Sequence, residues 1–270
     1  MSPRFLSRFR LQGPELLGSP VTDVKSFAAL SHVFETVGTS AYNGAAAFIQ
    51  NKVTLLPISR RKSLNVHQAY LTVAASILGV ETRQAAWIGS AVLKSNPWNT
   101  AFEVRSTYVT VLVSSHSLIK TPLDFNQVHT LASPFIASCP ESNPSLAAKS
   151  FAPLSAALLD SGSQARLTFA APTDTSKEHG KPLYAAFLIG TGTIFVPVNM
   201  TSNEVEVPKG LIGFVFVVLT SDGGRVSDET TLAGPAILQF PFDSHGTRFN
   251  SSGPSGWSIS HLSFLISYVM

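Results

Sequence analysis

Residues Ile77–Ile88, ILGVETRQAAWI, set Glu81 in an otherwise apolar run and put Gln84 three places beyond it. On a helix, residues i and i+3 share a face, so both side chains point the same way. A Glu and a His at that spacing, presented by facing helices, can hold a metal in the interior of a bundle. Here the second residue is an amide. Around this stretch, AYLTVAASILGVETRQAAWIGSAVLK predicts a helix over residues 69–94, stopped by the Asn96–Pro97 pair.

Upstream, SFAALSHVFETVGTSAYNGAAAFIQN repeats Phe27, Leu30, Phe34, Val37, Ala41, Ala45 and Phe48 at helical spacing, which predicts a helix over residues 26–51. Thr22 or Asp23 is placed to cap it. Glu35 is its one fully charged residue, so the helix is apolar nearly all round and is expected to lie buried among other helices. A third, shorter helix is expected across FNQVHTLASPFIASCP, ending near Pro140.

Beyond about Ser150 the period changes. Short β-rich runs follow one another, ARLTFAA, LYAAFLIG, TIFVPV, EVEVP, GFVFVVLTS and AILQFPF, with SDGG and Pro-Lys-Gly as turn signals. Strands at this spacing without intervening helices predict an antiparallel β-sandwich. The fold class is therefore α+β, a helical region followed by a sandwich. The expected divisions are a tail at 1–22, helices at 23–145, the sandwich at 146–243 and a second tail at 244–270.

A hydrophobic fraction of 44% suffices for a substantial core, while the charged fraction of 13% is about half that of typical soluble domains. The net charge of +3 is scattered, and no basic face is interleaved with aromatic residues, so nucleic acid is not an expected partner. The single cysteine, Cys139, excludes an internal disulfide. No apolar run reaches the roughly 18 residues of a membrane span. The start, MSPRFLSRFRLQGPELLG, lacks the continuous apolar stretch of a signal peptide. The sequons at Asn199 (NMT) and Asn250 (NSS) gain meaning only in a secretory setting. The seven histidines, at 32, 67, 116, 129, 179, 245 and 261, are dispersed and mostly expected at the surface or in loops.

Taken in order, VTDVKSF, ALSHVFETVGTSAYNGAA, YLTVAASILGVETRQAAWI, TPLDFNQVHTLASPFIASCP and LYAAFLIGTGTIFVPV resemble the fungal branch of the desiccation-related, ferritin-like family. The resemblance implies a ferritin-like helical bundle followed by a β-rich region, in proteins often secreted or at the cell surface and linked to stress. In complete ferritin-like proteins two helices each supply a carboxylate and two others each supply a Glu-x-x-His pair to a di-metal centre. By this resemblance Glu35 matches a single-carboxylate position and Glu81 the Glu of the last pair. Gln84 stands where the histidine would be, and an amide is a poor transition-metal ligand.

Only about 25 residues precede the first helix, where the family would place two more, so the bundle is expected to be partial. Glu35 and Glu81 are then a vestigial metal pair, with Arg83, Gln84, Tyr42 or water as polar company. No cofactor is expected unless further helices complete the site for iron or manganese. Two segments, 53–68 and 104–120, interrupt the family pattern and are expected to be irregular. Each begins with Val, encoded by GT-initial codons, and ends with Gln or Lys, which have codons ending in AG. Translated introns or family-variable loops both explain them.

Three functions remain open: a non-catalytic stress or surface protein, a metal-dependent oxidase or iron binder completed by missing helices, and a carbohydrate- or wall-binding β module using Tyr184, Phe187, Phe195 and Phe214. The partner classes left by this reading are the cell wall or surface and a homo-oligomer.

Overall fold

The structure is a computed structural model describing residues 21, 23–51, 61–94, 96, 122–136, 146–159, 163–169, 182–190, 192–240, 242 and 248, with backbone alone at 47–51 and 61–70. It is α+β, with three α-helices followed by two antiparallel sheets among these residues. Helix α1 spans Val24–Asn51 and α2 spans Arg61–Trp87, continued by a π turn at Ile88–Val92. Helix α3 spans Phe125–Ala132 and runs into a 3-10 turn at Ser133–Phe135. None of the described helices is long and apolar enough to cross a membrane.

The helix starts follow from their caps. Asp23 Oδ1 accepts from the Ser26 amide at 2.7 Å while Ser26 Oγ accepts from the Asp23 amide at 3.0 Å. Two amides with no intrahelical partner are satisfied at once. Asp124 and Gln127 do the same for α3, through Gln127 N–H to Asp124 Oδ1 at 2.8 Å and Asp124 N–H to Gln127 Oε1 at 3.1 Å. That helix stops earlier than its periodicity suggested. Pro134 has no amide to carry the hydrogen-bond ladder on, so the chain tightens into a 3-10 turn and is extended at Ile136.

Helix α2 corrects one expectation. Residues 61–68 of the segment taken as irregular are helical. The physical reason is local: Arg, Lys, Leu and Gln in RRKSLNVHQ favour helix and no proline interrupts 61–87, so the amphipathic run extends backwards. Residues 53–60 and 104–120 lie outside the described residues.

Strands β1 (Leu154–Leu158), β2 (Gln164–Phe169) and β5 (Glu204–Glu206) form one sheet in the order β1-β2-β5. Strands β3 (Tyr184–Ile189), β4 (Gly192–Pro197), β6 (Gly213–Thr220) and β7 (Thr231–Phe240) form the other in the order β4-β3-β6-β7. β1 was not among the expected strands, because LSAAL is rich in alanine, a weak strand former. It pairs with β2 from Leu154↔Phe169 to Leu158↔Ala165 and buries Leu154 and Ala156. The join between the sheets is made where Gly234 N–H donates to Ala152 O at 2.9 Å. Gly234 has a φ of 102°, and an added Cβ would meet Leu154 Cδ2 at 2.9 Å and Val217 O at 3.0 Å.

β3 and β6 are buried almost continuously, a pattern expected only when both faces of a sheet are covered. Ala185, Phe187, Val215, Val217, Leu238 and Phe240 face the β1-β2-β5 sheet in one cluster. Their alternates, Ala186, Leu188, Phe214, Phe216, Val218 and Ile237, pack with Val33 and Val37 of α1 and with Leu123 and Leu131 beside and within α3. α1, expected to lie among helices, packs against α2 and α3 and in addition lays Val33 and Val37 on the four-stranded sheet. α2 in turn packs along α1, where Ala85 and Ile88 are buried.

The aromatics considered for a glycan platform have structural places. Phe187 is fully buried between the sheets, and Phe214 lies under His32 with ring centroids 4.8 Å apart in an edge-on arrangement. Phe195 packs against the helix–sheet cluster, and the Tyr184 ring lies where a Cβ on Gly223 would stand, 2.8 Å away. His32 also departs from the expectation of surface histidines: it is buried in the helix–sheet layer.

Candidate functional site

α1 and α2 cross so that Glu35 and Glu81 meet. The Glu81 carboxyl stands within hydrogen-bonding reach of Glu35, an arrangement satisfied while Glu35 keeps its proton, below about pH 7. Glu35 is pushed from 4.5 up to about 7, first by desolvation, then by the hydrogen bond and the charge of Glu81. Gly38, one turn along from Glu35, makes the approach possible. An added Cβ there would stand 2.5 Å from Glu81 Oε2, so the carboxyl occupies the space a larger residue would fill. Nothing in the local sequence marked Gly38 except its position inside a helix, where glycine costs about 1 kcal/mol relative to alanine and calls for a packing reason.

Gln84 completes the cluster. With its amide nitrogen facing the acceptors, it donates to Glu35 Oε2 at 2.9 Å and lies 3.2 Å from Oε1. Arg83, the residue able to neutralise the pair by turning inward, is exposed instead. The charge is therefore balanced by a proton and an amide rather than by a cation. Tyr42 lies on α1, half-buried, with no part in these contacts.

The donor set does not fit a transition metal. Two carboxyls and one amide face each other, the amide hydrogens occupy the Glu35 oxygens that a metal would need, and among the described residues no imidazole joins them. Among the described residues no group of three or more His, Cys, Asp or Glu side chains converges. His32 is turned to Phe214, and His129 Nδ1 lies 3.0 Å from Ser150 Oγ.

The cluster opens onto a groove of about 640 Å³ lined by Ser31 and Glu35 of α1 and by Val80, Arg83, Gln84, Trp87 and Ile88. Trp87, which the sequence reading did not single out, is 64% exposed at its edge. A large aromatic left in solvent beside a carboxyl pair is the least expected surface feature of the helical layer.

None of the curated proteins compared with the chain matches it. A family model described as a ferritin-like domain matches residues 7–60, a span that holds Glu35 and Gly38 and ends before Glu81.

Proposed function

We propose that this chain is a non-catalytic, ferritin-like protein of the desiccation-related stress or surface type, whose inter-helix site has exchanged metal for a shared proton. The observation that carries the reading is the Gln84 amide, which stands in the place of an imidazole and donates to the carboxyl that Glu35 shares with Glu81. The ferritin-like match over α1 supports the helix assignment. A partial bundle with a relic carboxyl pair accounts for both. The oxidase alternative needs ligands from helices not found among these contacts, and iron or manganese would have to displace the Gln84 hydrogen bonds.

A shared proton has a signature in pH. The folded Glu35 keeps its proton up to about pH 7, while an unfolded glutamate loses it near 4.5. The unfolded chain binds fewer protons between those values, so stability falls as pH rises through that window and is level above it. Because Glu35 is only partly buried, screening holds the loss to roughly 1 kcal/mol rather than the full worth of the shift. The double variant Glu35→Gln, Glu81→Gln removes the slope and matches or exceeds the parent in stability at pH 8, since desolvation is relieved and hydrogen bonding is kept. Urea unfolding at pH 5, 6, 7 and 8 reads both results. A double variant weakened by more than about 2 kcal/mol at every pH would assign the carboxylates a role this reading denies them.

A further inference from the structure

The outward stripe of the helix pair is apolar where a solvated helix should be polar. On α1, Phe27 is 60% exposed, and Phe34, seven residues on, keeps 38% exposure while one edge of it packs against the Phe135 ring at 4.6 Å; both stand on the stripe that also carries Ser31 and Gly38 at spacings of three and four. On α2, Val73, Val80 and Trp87 are 47%, 40% and 64% exposed and stand seven residues apart, with Gln84 between the last two. A seven-residue apolar repeat is the pattern by which one helix seats on another. Here it occurs on two antiparallel helices, side by side, facing out.

We propose that a second copy of this chain docks on this face, so that two α1–α2 pairs close into a four-helix layer around a two-fold axis through the groove.

Three observations favour a second copy as the occupant. Under a two-fold the same patch meets itself, so it must be self-complementary. Arg83, an exposed cation at the groove edge, lies beside a carboxyl cluster, and the axis carries each copy's Arg83 toward the other's carboxyls. The groove is also prepared for burial, because Glu35 and Gln84 in its lining, with Glu81 behind them, answer one another's polar groups. Finally, with large side chains burying about 150–250 Å² when fully covered, these residues from two copies remove roughly 1,000 Å² of apolar surface, the lower bound for a specific interface. The inference does not depend on whether the site takes metal.

Sedimentation equilibrium of the full chain tests it. At micromolar concentrations the parent is expected at twice the 28.8 kDa protomer mass. Trp87→Glu, and independently Val80→Glu, is expected to return the mass to the protomer's with unchanged far-ultraviolet circular dichroism, both residues being solvent-facing in the single chain. A parent that stays monomeric throughout the concentration range would overturn the proposal and leave the face to another segment of the chain or to a different protein. So would a dimer whose mass neither substitution alters.

Discussion

Phe216→Ala is expected to cost about 3–5 kcal/mol and to release the helices together with the sheet. Phe216 is 1% exposed and belongs to the cluster in which β3, β6 and β7 meet α1 and α3. Truncating it removes the transfer energy of the ring and leaves a cavity between two layers, each kept rigid by its own backbone hydrogen bonds. In urea, helical and aromatic circular dichroism should move together to a lower midpoint. Phe216→Leu, which keeps most of the volume, should lose much less. Two separated transitions in the parent would show that the helices and sheets do not share one core.

Gly44→Ala is expected to cost about 2–3 kcal/mol, although alanine is the better helix former by about 1 kcal/mol. An added Cβ at Gly44 would run into the backbone carbonyl of Leu123, whose own amide donates to Ser40 O at 3.2 Å. The neighbour is main chain, so it cannot swing aside as a side chain can. Leu123 is 2% exposed and anchors the entry to α3, so moving it disturbs the helix–sheet cluster. The matched control is Gly79→Ala, where an added Cβ meets nothing within 4 Å. It should be neutral or stabilising by up to about 1 kcal/mol. Equal midpoints for the two variants would refute the close approach.

Much of this architecture is legible in the residues. The apolar recurrence from Phe27 to Phe48 marks α1, and the Asp23 cap falls where the periodicity begins. The alternating runs mark β2 to β6 to within two residues. β7 begins five residues before its expected start at Ala236, since Gly234–Pro235 reads as a break yet is held inside the strand by pairing with β6 on either side. An apolar helix carries no label for what covers it. The helical period of α1 is the same whether Val33 and Val37 meet helices or, as here, Phe216 and Val218 of a sheet.

The site divides in the same way. Spacing alone places Glu81 and Gln84 on one face, and an antiparallel crossing suffices to bring Glu35 to them. The choice between Arg83 and Gln84 as the group that answers the carboxyls is decided by direction around the helix, where one residue is a turn of about 100°. Gln84 reaches Glu35 with its amide, while Arg83 stays exposed at the rim of the same groove. Gly38 matters only once α2 is in place, because its role is to leave room for a side chain forty-three residues later in sequence.

The proton-sharing account of Glu35, Glu81 and Gln84 is tested most directly by titrating the full-length, metal-stripped protein with Fe(II) and with Mn(II) at pH 7, followed by calorimetry and by metal analysis after desalting. The account predicts no stoichiometric uptake of either metal, and traces equal to those of the Glu35→Gln, Glu81→Gln double variant. Retention of one or two metal ions per chain by the parent, lost in the double variant, would contradict it.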